Sequence, residues 1–222
     1  MNAGKDASAL RGLIVDWGGV LTERLDLAGA GWAQSEGFDF EQYVEVLTSW
    51  VGPAYQLEAR ANPVHALERG EMTVPDFEAE LAAKLDSTTG TTAIRAEGLL
   101  ERMFAHFESA HAMNALVRRA HSSGIRTALL SNSWGNAYPR DGWEDMFDAV
   151  VISGEVGLRK PEPEIFWLTC KQIGLAPHEC VFVDDMVLNV ESARKLGMVA
   201  IEHRTYAETA AELERLFGRP LA

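Results

Sequence analysis

The chain has 222 residues, of which 47% are hydrophobic and 24% charged, an ordinary balance for a folded globular protein. Its net charge of −13 argues against nonspecific binding to nucleic acid or to an anionic membrane, although a metal ion or a local lysine can still attract an anionic substrate into a cleft. Residues 1–11 are polar and lack the apolar segment of a signal peptide, and no apolar run is long enough to span a bilayer, so a cytoplasmic location is expected.

The first predicted element is a short apolar strand that ends in an acid. Residues 12–15 carry no polar side chain on either face, which is typical of a strand buried on both sides. Asp16 follows at the carboxyl end, where ligands bind in open α/β sheets. Gly18 and Gly19 come next and let the backbone turn tightly beside a bound group. This pattern predicts a nucleophile loop, although a strand that simply stops at a polar turn has the same pattern.

Residues 23–110 show helical patterns and no convincing strand. Apolar side chains recur at helical spacing in residues 41–51, 75–85 and 99–107, and Thr73 is expected to cap the second of these helices. The aromatic residues of this block are expected to form mainly a helical core, with a few of them facing the first loop. They are Trp32, Phe38, Phe40, Tyr43, Trp50 and Phe77.

From residue 113 onward, predicted helices alternate with short apolar strands. The strands are predicted at 126–130, 149–152, 180–183 and 198–201, and the helices at 113–123, 143–147, 162–173, 189–196 and 207–217. Such alternation is typical of a parallel sheet with right-handed crossovers. We therefore predict an α/β fold, with a Rossmann-like parallel sheet core formed by residues 1–22 and 111–222. Helices cover both faces of that sheet, and residues 23–110 are inserted as an α-helical cap domain.

Polar side chains follow three of the predicted strands, and a lysine lies in the loop after a fourth. They are Asp16, Ser131, Asn132, Lys160, Asp184 and Asp185. Because the carboxyl ends of parallel strands share one edge of the sheet, these side chains are expected to meet. A carboxylate can attack phosphorus and form an acyl phosphate, and Asp16 with Asp185 can hold Mg²⁺. Lys160 can neutralise the nucleophile and the phosphoryl oxygens, to which the Ser131 hydroxyl can donate a hydrogen bond.

Four motifs in order carry a family resemblance over nearly the whole chain. They are residues 13–21, 129–132 and 157–166, and residues 181–185 with Asn189 and Ala193 following. They resemble the motifs of the haloacid dehalogenase-like (HAD) hydrolases, in the subgroup with a helical cap inserted after the first motif; cap residues 69–73 and Phe77 also resemble that subgroup. Similar members are the sugar-phosphate phosphatases with an Asp-x-Gly first motif and the phosphatase domain of soluble epoxide hydrolase. The resemblance implies a Mg²⁺-dependent phosphatase that hydrolyses a small phosphorylated metabolite through an aspartyl-phosphate.

The resemblance also implies a set of metal ligands. Asp16 would be both nucleophile and ligand, Gly18 would offer its carbonyl oxygen, and Asp185 would bind Mg²⁺ directly. Asp184 would act on the metal through water, or would orient Lys160.

Catalytic and substrate-binding roles follow from the same resemblance. Ser131 would bind the transferring phosphoryl group, and Lys160 would balance the charges around it. The residues implied to contact substrate are Trp17, Gly19 and Asn132. Asn132 could instead be an ordinary turn residue, and Lys160 a solvated loop lysine.

One position departs from the family pattern. Most phosphatases of the family carry a second Asp where this chain has Gly18, and that acid/base typically contributes roughly a hundredfold or more. Dehalogenases also lack this Asp, but they resemble Ser-Ser-Asn in the fourth motif, where this chain has Asp184 and Asp185. We therefore favour a phosphatase whose leaving group is protonated by water, by the substrate or by another residue. The alternatives are a catalytically impaired binding or regulatory protein and a 2-haloacid dehalogenase.

The remaining candidate ligands are predicted to be structural. Cys170 and Cys180 are expected to be small core residues, and Asn189 is expected to cap the helix it begins. The histidines fit no metal-ligand spacing and are expected on the surface or on helix faces. They are His65, His106, His111, His121, His178 and His203. The expected partner is a small phosphate ester, with no nucleic acid and no membrane; the oligomeric state is not predicted.

Overall fold

The computed structural model describes residues 10–51, 62–89, 93–135 and 138–221. Within these ranges one parallel sheet has five strands, and each predicted strand lies within one residue of its observed bounds. The strands are β1 (Gly12–Val15), β2 (Arg126–Ser131), β3 (Ala149–Ile152), β4 (Cys180–Asp184) and β5 (Val199–Glu202). Their order is β3-β2-β1-β4-β5, so the predicted α/β class is confirmed.

Strand β1 lies at the centre of the sheet and pairs with both β2 and β4. Its side chains alternate between two hydrophobic clusters: Leu13 and Val15 point into one, and Ile14 into the other. Both clusters are buried, which explains why the strand carries no polar side chain before its end. Asp16 then leaves the carboxyl edge of the sheet, and its N–H donates to the carbonyl oxygen of Val183 at 2.9 Å.

Helices cover both faces of the sheet and form the inserted cap. They are α1 (Leu25–Glu36), α2 (Phe40–Val51), α3 (Pro63–Glu68), α4 (Val74–Thr89), α5 (Leu99–Phe104), α6 (His111–Ser122), α7 (Ser153–Val156), α8 (Pro163–Gln172), α9 (Val187–Lys195) and α10 (Tyr206–Phe217). Side chains of α6 and α10 pack in the cluster of Leu13, and those of α8 and α9 in the cluster of Ile14.

Two predicted helices end two or three residues earlier than expected. The helix expected at 99–107 ends at Phe104, because the next N–H groups, those of His106 and Phe107, bond to carbonyls three residues earlier. The helix expected at 143–147 is a single 3₁₀ turn, Trp143–Asp145. The short helix α7 was not predicted, since its four residues are too few to show a helical period.

Helices α1 to α5 surround a third hydrophobic cluster, separate from the two on the sheet. Trp32, Phe38, Tyr43 and Phe77 are buried in it as predicted, while Phe40 and Trp50 pack at its edge. The two ends of this helical insertion meet: the N–H of Glu23 donates to the carbonyl oxygen of Glu108 at 2.8 Å. The inserted cap is therefore present, and its boundaries at residues 23 and 110 stay a prediction.

The structural predictions for the cysteines are confirmed, and His65 lies on a helix, one of the two placements expected for the histidines. Cys170 and Cys180 are buried and form no disulfide; the Cys170 thiol donates to Cys180 Sγ at 3.9 Å. His65 lies on α3 but is buried rather than on the surface, because α3 packs against α2, α4 and α7. Burial, followed by the charges of Arg159 and Arg69, lowers the pKa of His65 to about 4.

No helix in the described ranges has both the length and the apolar character needed to cross a membrane.

Candidate active site

The charged residues predicted from separate motifs lie together at the carboxyl edge of the sheet. Lys160 Nζ is 2.8 Å from Asp16 Oδ1 and 2.7 Å from Asp184 Oδ2. One oxygen from each of Asp16, Asp184 and Asp185 lies within 4.8 Å of the other two. Asp16 is 8% exposed, Lys160 1% and Asp184 0%, so these three side chains are almost entirely withdrawn from water, while Asp185 is half-buried.

Three carboxylates face one ammonium group, which leaves the cluster with an excess of two negative charges when all are ionised. Burial raises the pKa of Asp16 to about 7; the charges of Asp184 and Asp185 add to this shift and Lys160 opposes it. Burial and then Asp184 raise the pKa of Asp185 to about 6. Burial works against the charge of Lys160, but Asp16 and Asp184 outweigh it and raise the pKa of Lys160 above its ordinary value. A hard divalent cation such as Mg²⁺ would balance the excess, so these oxygen donors fit one.

Asp184 is occupied by hydrogen bonds within the protein. Its Oδ1 accepts from the N–H of Met186 at 2.8 Å and from Asn189 Nδ2 at 3.0 Å. Its Oδ2 accepts from Lys160 at 2.7 Å and again from Asn189 Nδ2 at 3.1 Å. A carboxylate offers about four lone-pair sites, and these contacts use them. Asp184 therefore positions Lys160.

Asn189 does not have its expected capping role. Helix α9 begins two residues earlier, at Val187, and the side chain of Asn189 points back to Asp184. The expectation failed because the apolar residues Val187 and Leu188 give no start signal in the sequence.

Asp16 has one engaged and one open oxygen. Its Oδ1 accepts from the N–H of Trp17 at 2.7 Å and lies 2.8 Å from Lys160 Nζ. Among the described residues, none donates a hydrogen bond to Oδ2. The protein thus fixes the carboxylate through one oxygen and leaves the other for chemistry.

Of the two glycines that follow Asp16 at positions 18 and 19, only Gly19 occupies a position where a side chain would not fit. Gly19 has a φ of +69°, and a Cβ there would lie 2.5 Å from Asp185 Oδ2. Its N–H donates to Thr22 Oγ1 at 2.9 Å, so Gly19 shapes the turn under Asp185. A Cβ on Gly18 would meet only Leu25, at 3.4 Å. Position 18 therefore has room for a side chain, and its lack of an acid is not imposed by packing.

Ser131 and Asn132, at the end of β2, are held by different partners. Ser131 Oγ lies 3.0 Å from the hydroxyl oxygen of Tyr138, which also donates to the carbonyl oxygen of Asn132 at 3.3 Å. The Asn132 side chain accepts from the Lys160 N–H at 2.8 Å and donates to the Lys160 carbonyl oxygen at 3.0 Å. The Asn132 amide therefore fixes the backbone of the lysine loop. Tyr138 was not anticipated, because it lies outside every motif.

A cavity of about 710 Å³ opens above these residues, between the sheet edge and the cap. Asp16, Ser131, Lys160 and Asp185 lie at its core side. Trp17 also lines it, with its ring stacked on Phe107 at a centroid distance of 5.7 Å. The volume is typical of a site for a small molecule.

A buried ion pair ties the cap to the core beside this cavity. Arg159, next to Lys160, places Nε 2.5 Å from Glu68 Oε2 on α3, and both side chains are buried. Arg69 pairs with Glu162 alongside. The sequence analysis missed this link because Glu68 and Arg159 are 91 positions apart and neither stands out locally.

The sequence model of the haloacid dehalogenase-like hydrolases matches residues 10–197, and the chain belongs to this family of hydrolases. It is 28% identical to bifunctional epoxide hydrolase 2 of Rattus norvegicus over 74% of the chain and 32% of the relative. It is 31% identical to the sesquiterpene phosphatase astK of Aspergillus oryzae over 48% of the chain and 56% of the relative. The chain thus spans at most a little over half the length of either relative.

A solved structure shares the fold. It is a HAD family enzyme from Bacteroides thetaiotaomicron in complex with magnesium and inorganic phosphate, 22% identical to this chain, with a TM-score of 0.56. The match covers 88% of this chain and 95% of that one.

Proposed function

We propose that the chain is a Mg²⁺-dependent phosphatase that hydrolyses a phosphate monoester through an aspartyl-phosphate on Asp16. The observation that carries the proposal is the buried cluster in which Lys160 holds one oxygen of Asp16 while the carboxylates keep two excess negative charges. Phosphoryl transfer needs a positioned nucleophile and positive charge around the phosphoryl oxygens, and this arrangement provides for both. A relative that is itself named a phosphatase supports the same reaction.

The metal would be held by Asp16 and Asp185, with the carbonyl oxygen of Gly18 as a further ligand. Asp184 is left out of direct ligation because Lys160, Asn189 and Met186 occupy its oxygens. When bound, Mg²⁺ supplies positive charge for the phosphoryl oxygens and orients them.

The chemistry of the residues themselves has two steps. Asp16 Oδ2 attacks phosphorus, the ester P–O bond breaks, and the alcohol leaves with a proton from water or from the substrate. Water then attacks the same phosphorus atom, which releases inorganic phosphate and restores Asp16. Lys160 favours the ionised form of the carboxylate and orients it, and Ser131 donates to a phosphoryl oxygen. Because Gly18 offers no acid, esters with a good leaving group should react fastest.

The test is hydrolysis of p-nitrophenyl phosphate with Mg²⁺, with EDTA, and with the Asp16→Asn variant. We expect turnover that requires Mg²⁺ and falls at least about a thousandfold in Asp16→Asn, as with removal of other nucleophiles. Asp145→Asn, at an exposed position outside the cavity, is the matched control and should keep full activity.

Each other outcome points to an alternative. Halide release from 2-haloacids that survives EDTA would indicate the dehalogenase. Mg²⁺ or phosphate binding without any turnover would indicate the binding protein.

A further inference from the structure

The cap wall of the cavity comes largely from one face of helix α2. The α2 residues that line the cavity are spaced three or four positions apart, as expected for a single helix face. They are Phe40, Tyr43, Val44, Leu47, Thr48 and Val51. Met103 and Phe104 of α5 extend the same wall. Apart from Thr48 and the Tyr43 hydroxyl, the side chains of this wall are apolar.

Apolar side chains also remain exposed where they line the cavity. Leu25 is 37% exposed, Val44 44% and Met186 37%, and all three are lining residues. They make up half of the large hydrophobic side chains that are exposed in the described part of the chain. An accessible apolar surface concentrated at one cavity marks a place where an apolar group binds.

The basic side chains of the cavity are already paired. Among the described lining residues, the basic ones are Lys160 and Arg159; the first lies between Asp16 and Asp184, and the second is bound by Glu68. Asp26, at the lining, pairs with Arg24 at 2.6 Å. Beyond the phosphoryl site, no basic side chain in this set is available for a second phosphate or a carboxylate.

We infer that the substrate's alcohol is a long, uncharged apolar group, so that the chain acts on alkyl-type phosphate monoesters rather than on sugar phosphates. The inference rests on the proposed phosphatase function and names its substrate class. A sugar would bring hydroxyl groups that need polar partners, and the α2 face would leave most of them unpaired. An alkyl chain would instead cover Leu25, Val44 and Leu47 while its phosphate lies at Asp16.

The test is a series of n-alkyl phosphates, from ethyl through butyl and hexyl to octyl, each below its micelle-forming concentration and with Mg²⁺. Burial of a methylene is worth about 0.8 kcal/mol, so kcat/KM should rise by up to about fourfold per added methylene until the cavity is filled. Glucose 6-phosphate and glycerol 3-phosphate should react more slowly than butyl phosphate. Equal or faster hydrolysis of these polar esters than of octyl phosphate would overturn the inference.

A pair of variants localises the effect. Val44→Asn puts an amide into the apolar wall and should lower the octyl-to-ethyl ratio of kcat/KM by about tenfold, the value of one buried valine side chain. Leu27→Asn makes a similar change at an exposed position on α1 that does not line the cavity, and should leave the ratio unchanged. Equal effects of the two variants would contradict the assignment.

Failure of the inference can be told apart from failure of the phosphatase proposal. Turnover of p-nitrophenyl phosphate without a chain-length trend would reject only the apolar substrate. If no ester is hydrolysed, the phosphatase proposal fails, and calorimetric binding of the same alkyl phosphates with Mg²⁺ decides the inference. Tighter binding of octyl than of ethyl phosphate would uphold an apolar ligand, and equal binding would overturn it.

Discussion

The two sides of the cavity are built on opposite principles. On the core side, Asp16 and Asp184 are buried and both pair with the buried Lys160, at 2.8 and 2.7 Å. On the cap side, Val44 and Leu47 of α2 present carbon atoms and make no directed contact. The core side can therefore define a reaction by geometry, while we expect the cap side to select a ligand by its apolar area.

The two sides should therefore respond differently to substitution. A buried cluster of paired charges loses both stability and activity when one member is removed, because the remaining charges are left without a partner in a low dielectric. An apolar wall responds in proportion to the area changed. The predictions below test this contrast.

After Asp16 itself, the largest effect is expected at Lys160. Lys160→Met would leave Asp16 and Asp184 buried without their common partner, so turnover of p-nitrophenyl phosphate should fall at least about a hundredfold, with a loss of about 3–5 kcal/mol of stability. Lys171→Met, on the exposed face of α8, is the matched control. In the double variant with Asp184→Asn, stability should partly return while activity stays low. Urea denaturation and steady-state kinetics check both parts; recovery of activity would contradict the assigned role.

The next largest effect, a loss of stability, is expected when the buried ion pair between Glu68 and Arg159 is broken. Glu68→Ala leaves Arg159 uncompensated and should cost about 3–5 kcal/mol of unfolding free energy. Glu80→Ala, on the exposed side of α4, should change it by less than about 0.5 kcal/mol. Replacing both Glu68 and Arg159 by Met should recover most of the loss. If Glu68→Ala behaved like Glu80→Ala in urea denaturation, the tie between cap and core would be unimportant for stability.

The adjacent glycines provide a smaller but internally controlled effect. Gly19→Ala forces a positive φ on alanine and pushes its Cβ against Asp185, so it should cost about 1–3 kcal/mol and weaken Mg²⁺ binding. The Cβ of Gly18→Ala would meet only Leu25, at an ordinary contact distance, so this variant should leave stability and Mg²⁺ binding nearly unchanged. Thermal unfolding with and without Mg²⁺ measures the difference. Equal losses at the two positions would show that the turn does not depend on Gly19.

Stability and Mg²⁺ affinity should also depend on pH. Because the pKa of Asp16 is raised to about 7 and that of Asp185 to about 6, these two carboxyl groups bind more protons in the folded metal-free protein than in the unfolded chain between about pH 4 and 7. These groups therefore lower the free energy of unfolding as pH rises from about 4 to 7. Mg²⁺ needs the ionised forms, so its affinity should increase by up to about tenfold per pH unit for each displaced proton. Thermal unfolding between pH 5 and 8, with Mg²⁺ or with EDTA, measures both the stability and the Mg²⁺ affinity. An Mg²⁺ affinity that does not change with pH would contradict the raised pKa values.

The sequence predicted the core side better than the cap side for a physical reason. The sheet strands are short apolar runs with polar residues directly behind them, so their ends could be placed, and with them Asp16, Lys160 and Asp185. The helical pattern of α2 identified an apolar face but not what that face contacts, which is why the cavity wall could not be separated from the helical core. Long-range partners such as Glu68 and Arg159 leave no local signal at all.

If Asp16 is the nucleophile that attacks phosphorus, the aspartyl-phosphate should form on it. Trapping this intermediate is the most direct test. The protein is mixed with excess p-nitrophenyl phosphate and Mg²⁺, quenched in acid during turnover, digested and analysed by mass spectrometry. The account predicts one added phosphoryl group on the peptide that contains Asp16, absent in Asp16→Asn. Turnover with that peptide unmodified, or with the phosphoryl group on another residue, would contradict it.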